Sequence, residues 1–212
     1  WKSEKQLIMR NAQCGMNLDL HITGLFNVYN VLATVGAAEA ENIRPDVIKL
    51  SLENFRSVPG RFERIFSDAP FEVIVDYAHT PDGVKNVLQT ARQIVTGKII
   101  AVFGCGGDRD NSKRPIMGKL AAQLSDIVIL TSDNPRTEDP EKILTEVEAG
   151  IGDKIHERIA DRRAAIFRAI ELAEAGDAVL ILGKGHETYQ ILKDKTIHFD
   201  DREVAREAIQ NG

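Results

Sequence analysis

After Pro70, short apolar runs alternate with longer stretches whose apolar residues recur at helical spacing. The apolar runs predict strands over 71–76, 98–103, 126–131 and 178–182, with two short ones near Tyr189 and Ile197. The helical stretches fall over 81–93, 113–124, 140–150, 161–175 and 201–209. Strands and helices in alternation imply an α/β fold, a Rossmann-like, doubly wound and mostly parallel sheet. Upstream the pattern differs. Residues 1–20 carry weak strand signals, and an Ala-rich helix is expected over 27–41. A second helix opens at Pro45 and runs to about Leu52. Val58-Pro59-Gly60-Arg61-Phe62-Glu63 reads as a turn leading into a short strand. The change of texture divides the chain into an upstream unit, 1–66, and a downstream unit, 67–212.

Composition narrows the function classes. Hydrophobic residues make up 43% of the chain and charged residues 28%, the balance of a globular protein rather than a disordered one. The formal charge of -5 argues against a sequence-independent hold on phosphates, so no nucleic-acid partner is expected. No apolar run reaches bilayer-spanning length and no basic-then-apolar leader opens the chain, so neither a membrane partner nor secretion is expected. Cys14 and Cys105 are too few for a disulfide framework, which points to a reduced, cytoplasmic setting. The chain starts Trp1-Lys2-Ser3 with no Met and reads as a piece of a longer one.

In sheets of this class, ligands gather beyond the carboxyl ends of the strands. Four polar or Gly-rich segments fall there: Asp76-Tyr77-Ala78-His79, Gly104-Cys105-Gly106-Gly107-Asp108-Arg109, Ser132-Asp133-Asn134-Pro135-Arg136 and Gly183-Lys184-Gly185-His186-Glu187. Each has a plain structural explanation when taken alone. Thr80 is a helix cap and Pro81 suits the first helical position, which leaves Asp76 and His79 to explain. A carboxylate at a strand end can accept from ribose hydroxyls. The glycines after the second strand resemble a dinucleotide fingerprint, but G-x-G-x-x-G needs glycine where Arg109 stands, so a nicotinamide enzyme is a poor reading. Lys113 and Arg114 open a helix, where cations are mildly unfavourable, which hints at an anionic partner. Pro135 ends a strand and presents Arg136, whose guanidinium can grip a carboxylate with two parallel bonds. The glycines around Lys184 let backbone approach a ligand, and Glu187 beside a carbonyl can cradle an ammonium. Arg109, Arg136 and Glu187 on neighbouring loops therefore fit a zwitterionic amino acid. The chain has no nucleophile elbow, no metal-ligating His/Cys cluster and no G-x-x-x-x-G-K-[ST] phosphate loop.

As an ordered set, Phe26-Asn27-Val28-Tyr29-Asn30, Pro59-Gly60-Arg61-Phe62-Glu63, Asp76-Tyr77-Ala78-His79-Thr80-Pro81-Asp82, the segment 104–110, Asp133-Asn134-Pro135-Arg136 and the segment 183–187 resemble the motifs of the Mur ligases. The resemblance runs from about Leu20 to Ile209. It is strongest to the members that add meso-2,6-diaminopimelate, which carry Asp-Asn-Pro-Arg at the position of Asp133 to Arg136. The resemblance implies that 1–66 is the tail of a central ATP-binding domain and that 67–212 is the amino-acid-binding domain of a three-domain ligase. It implies ATP contacts from Asn27, Asn30, Arg61, Asp76 and His79, with His79 the one candidate for a part in catalysis. It implies diaminopimelate contacts from Arg109, Asp133, Asn134, Pro135, Arg136, Gly183 and Glu187.

The implied reaction is ATP-dependent amide formation with UDP-N-acetylmuramoyl-L-alanyl-D-glutamate, through an acyl phosphate, in peptidoglycan synthesis. Magnesium, its ligands and a carbamylated lysine would lie in the unmatched part, so no metal ligand is expected here. A cytoplasmic monomer is expected, and the chain alone should be inactive. The alternatives are a lysine-adding or other Mur ligase, or a non-catalytic module that binds a nucleotide or an amino acid.

Overall fold

The computed structural model describes residues 5–10, 15–22 and 24–211. The chain divides into two compact units, Trp1–Val58 and Pro59–Gly212. In the first, β1 (Lys5–Arg10) pairs antiparallel with β2 (Gly15–Leu20), followed by α1 (Leu25–Ala40) and α2 (Pro45–Asn54). Alternation along β2 buries Met16, Leu18 and Leu20, which pack with Val31 and Val35 of α1 and Ile48 of α2. Lys49 Nζ donates to the Asn17 carbonyl at 2.8 Å. Cys14 lies outside the described residues.

The second unit starts at Pro59, upstream of the change of sequence texture. The reason is β3 (Glu63–Arg64), which pairs antiparallel with β4 (Glu72–Asp76) and so attaches the Pro59–Arg64 turn to the sheet. After β4 come α3 (Pro81–Arg92), β5 (Ile99–Phe103), α4 (Lys113–Leu124), β6 (Ile127–Leu130), α5 (Pro140–Glu148), β7 (His156–Arg158), α6 (Arg162–Leu172) and β8 (Ala178–Leu182). A small antiparallel hairpin, β9 (Tyr189–Ile191) with β10 (Thr196–His198), precedes α7 (Asp201–Asn211). The main sheet runs β3-β4-β8-β5-β6-β7, parallel except at β3. The sequence pattern misses β7. Its residues, His156-Glu157-Arg158, hold no apolar side chain, and backbone pairing to β6 makes the strand at the sheet edge.

The central strands are apolar on both faces because both faces are covered. Val75, Val102, Ile129 and Ile181 meet Ala165, Ile166 and Ile170 of α6 and Val204 and Ala205 of α7. The intervening Ile74, Phe103, Leu130 and Leu180 are equally buried, on the face where α3 and α4 contact the strands. Local chemistry starts the helices. Thr80, Asp139 and Asp161 accept from Gly83, Glu141 and Ala164 N–H at 3.1, 3.0 and 2.8 Å, each worth about 1 kcal/mol. Pro81 and Pro140 occupy the first helical turn, where proline is favoured.

Register decides where the loops emerge. Asp76 and Phe103 both lie opposite Leu182, and Leu130 lies opposite Phe103. The chain therefore leaves β4, β5, β6 and β8 at one level, and the four polar segments share one sheet edge.

Candidate functional site

Asn134 ties three of these loops together. It is 1% exposed. Its Oδ1 accepts from Lys184 Nζ at 3.1 Å and from Ile191 N–H at 2.9 Å, and its Nδ2 donates to Glu187 Oε2 at 2.9 Å. Its carbonyl accepts from Gly107 N–H at 2.9 Å. Lys184 Nζ also donates to Glu187 Oε2, at 3.1 Å. Asn134 and Glu187 are therefore bonded directly, and the buried Lys184, to which the sequence assigns no role, joins them both.

Arg136 has φ 53, in the left-handed region that non-glycine residues rarely occupy. Its N–H donates to the Ile191 carbonyl at 3.1 Å. Its Nη1 donates to the carbonyls of Gly107 at 2.8 Å and Asn134 at 3.3 Å. Among the described residues, these are the only hydrogen bonds of its guanidinium. Arg109 is exposed and donates to the Asp108 carbonyl at 3.0 Å. The two arginines flank Gly106. A Cβ there would lie 2.8 Å from Arg136 Nη1 and 3.9 Å from Arg109 Cγ, so glycine keeps this gap open. The loop is clamped from behind, where Thr137 bonds Asp108 and Glu138 accepts the Asp108 N–H.

The cations at the start of α4 turn out to have internal partners. Arg114 is fully buried and donates to Glu138, Glu146 and the Gly106 carbonyl. Its guanidinium holds the Glu138 carboxyl down at about 2. Lys113 Nζ donates to the His79 carbonyl at 3.0 Å. Arg114 is thus met by carboxylates of the chain itself, and Lys113 by a backbone carbonyl.

Deeper still, Asp133 is buried beside Gly183. Its Oδ1 accepts the Asn134 N–H at 2.6 Å, and its carbonyl accepts from Gln190 Nε2 at 2.7 Å. Burial pushes its carboxyl above the usual range, against the nearby Arg162 and Lys184 charges. Gly183 has φ 117, and a Cβ would sit 2.6 Å from Asp133 Oδ2, so both conformation and space require glycine. Pro135 is buried in the same turn and its carbonyl accepts the Glu138 N–H at 3.1 Å.

A second cluster forms around Tyr77. Arg61 stacks over its ring at 4.8 Å, and the rings of His79 and His186 lie 4.6 and 5.0 Å away. Asp76 fixes this arrangement: its oxygens accept from Phe62 and Ala78 N–H, each at 2.7 Å. Burial raises its pKa, which those two bonds oppose. Asn27 and Asn30 lie in the first unit on α1, where Asn30 Nδ2 donates to Asn27 Oδ1 at 3.4 Å.

Residues 60–185 match the family described as Mur ligase, glutamate ligase domain. The chain belongs to the Mur ligase family. It is 53% identical over 193 residues to a UDP-N-acetylmuramoyl-L-alanyl-D-glutamate--2,6-diaminopimelate ligase of Clostridium botulinum, covering 90% of this chain and 40% of that protein. The ligase of the same name from Gloeobacter violaceus is 55% identical over 190 residues, 89% of this chain and 39% of its own length. A solved structure of a ligase with that name superposes with a TM-score of 0.72 at 40% identity, over 97% of this chain and 42% of the other. A UDP-N-acetylmuramate-alanine ligase from Thermotoga maritima, at 24% identity and a TM-score of 0.64, covers 92% of this chain and 40% of its own and shares the fold. This Mur ligase chain thus spans about 40% of the length of the curated relatives it matches.

Two residues of this Mur ligase edge carry little sequence signal. Lys184 looks like a flexible basic residue between glycines, and Arg162 like a helix-start surface charge, yet both are fully buried. Cys105 sits at the same edge, 3% exposed, with its thiol pushed up to about 12 by burial. The thiolate needed for alkylation is absent at neutral pH. Iodoacetamide at pH 8 should therefore leave Cys105 unmodified in the native protein, and peptide mass mapping should find it labelled only after denaturation. Labelling in the native state at the denatured rate would overturn this. The folded pKa lies above the ordinary thiol value of 9.0, so this contribution to stability is present below that value and is lost as pH rises from about 9 through 12.

Proposed function

We propose that the chain is the amino-acid-binding domain, with the end of the ATP-binding domain, of a ligase that joins meso-2,6-diaminopimelate to UDP-N-acetylmuramoyl-L-alanyl-D-glutamate. The observation that carries this reading is the part-buried Asn134–Glu187 contact, with Arg136 bonded to the Asn134 carbonyl. It sets one acidic and one cationic group on either side of the same asparagine. The far end of diaminopimelate carries both an ammonium and a carboxylate. Glu187 and the Gly183 carbonyl take the ammonium, and Arg136, supported by Arg109, takes the carboxylate. Asp133, Asn134 and Pro135 shape the turn that presents Arg136. Lysine lacks the distal carboxylate and leaves Arg136 desolvated and unpaired, which costs at least ~1–3 kcal/mol.

ATP supplies the phosphate that activates the D-glutamyl γ-carboxyl group. The amine nitrogen then bonds to the γ-carbonyl carbon, the carbon–oxygen bond to phosphate breaks, and the amine gives up a proton. The work of this chain is positioning: it holds that amine near the acyl phosphate, an entropic contribution that can be large. Arg61, Asp76 and His79 serve the nucleotide. The stacked Arg61–Tyr77 pair offers cationic and aromatic surface suited to an anionic, planar ligand. Among the described residues no three-ligand metal cluster exists, and magnesium belongs to the part of the ligase that this chain does not span. Among the described residues no helix is long and apolar enough to cross a membrane.

Calorimetry on the full-length ligase tests the reading, titrating meso-diaminopimelate and lysine with and without ADP. Diaminopimelate should bind at least about tenfold more tightly than lysine. Equal affinities would remove the basis for the assignment.

A further inference from the structure

Lys184 does something that neither the motif nor the proposed ligand contacts require. Its side chain is fully buried, and its ammonium lies between Asn134 Oδ1 and Glu187 Oε2, each at 3.1 Å, and 5.5 Å from the centre of the Tyr189 ring. An ammonium is rarely taken out of water without a definite partner. Here both partners are groups that the ligand reading places on the diamino acid. The bonds to Glu187 from Lys184 and Asn134 all fall on Oε2, which holds the carboxylate plane in one orientation. The surrounding charges matter as well. Asp133, Glu187 and Asp201 face Arg162 and Lys184, three carboxylates against two cations.

We propose that Lys184 is a positioning residue for amino-acid recognition, holding the Glu187 carboxylate and the Asn134 amide in the arrangement that receives the distal ammonium. The inference rests on the reading that Glu187 binds that ammonium. Without Lys184, Glu187 has one anchor fewer and can turn toward solvent, and three carboxylates are left facing a single guanidinium. Either change weakens the cradle without touching the nucleotide cluster around Tyr77.

Steady-state kinetics on the full-length ligase test this with Lys184→Met, which keeps an unbranched apolar stem without the charge, and Lys184→Gln, which keeps a donor and guards against a folding failure of the first. Lys184→Met should raise the KM for meso-diaminopimelate about tenfold to a hundredfold, with the KM for ATP unchanged, and Lys184→Gln should recover part of that loss. Glu187→Gln supplies the second arm. In its background Lys184→Met should add far less than it does alone, because the group it orients is already altered. Additive effects, or equal losses toward ATP and diaminopimelate, would reduce Lys184 to an ordinary structural residue and overturn the inference. If Glu187→Gln itself leaves the diaminopimelate KM unchanged, the ligand reading fails first and the inference falls with it. If Glu187→Gln raises that KM and neither lysine variant does, only the inference fails.

Discussion

Arg136→Ala should lower kcat/KM for meso-diaminopimelate by about a hundredfold or more in the full-length ligase, while the KM for ATP stays near the parent value. Truncating one partner of a buried, hydrogen-bonded charge pair typically costs ~2–5 kcal/mol, which spans that range. Arg136 is suited to such a pair because its guanidinium is pre-aimed. Nη1 is fixed by the Gly107 and Asn134 carbonyls, and the backbone is fixed by the bond from its N–H to Ile191. The residue holds φ 53, a strain that arginine and alanine bear alike because both carry a Cβ, so the substitution adds no backbone strain of its own. The ratio of diaminopimelate to lysine turnover separates loss of a ligand contact from a general disturbance of the loop. It should shrink in Arg136→Ala, because lysine never used the guanidinium. Arg136→Lys should recover little, since an ammonium keeps the charge but not the two-pronged geometry. An unchanged ratio in Arg136→Ala would assign Arg136 to the loop rather than to the ligand.

The sheet was legible because its strands are built on apolar runs: Glu72–Asp76, Ile99–Phe103 and Ala178–Leu182 are buried along nearly their whole length. The convergence of the loops was legible too, because a parallel sheet sends every carboxyl end to one edge. What stayed hidden depends on pairings between distant residues. β7 exists through backbone bonds to β6 and has no side-chain pattern of its own. The start of the second unit at Pro59 depends on β3 finding the edge of β4, which two charged residues do not announce. The partners of Arg114 and Lys184 stayed hidden because a sequence shows a charge but not the carboxylate folded against it. Asp76 illustrates a related limit. A carboxylate at a strand end fits a ribose contact, and the structure adds a second duty for it, holding the Phe62 and Ala78 N–H groups in place.

Among the described residues, Arg162 and Asp201 should be the most costly ion pair to break. Both side chains are 0% exposed, and the guanidinium meets the carboxylate through two bonds of 2.7 Å, from Nε and Nη2. Replacing only one, as in Arg162→Met, leaves a buried carboxylate without its counter-charge and should destabilise the fold by ~3–5 kcal/mol. Asp201→Asn should do the same from the other side. Replacing both with apolar residues of similar size should recover much of the loss, because the desolvation cost of both charges disappears together. The pair also reaches the site: Arg162 donates to the Leu182 carbonyl at 3.1 Å and the Ser132 carbonyl at 3.4 Å, at the points where the loops leave β8 and β6. Hydrogen exchange at the β8 and α7 amides measures the effect directly, since local opening is resolved there from opening of the first unit. Single variants should exchange on the order of a hundredfold faster or more in β8, with the double variant closer to the parent. Single variants that exchange within about fivefold of the parent would mean that α6 and α7 are held to the sheet by their apolar contacts alone, and that the Ser132 and Leu182 ends need no charge to keep their place.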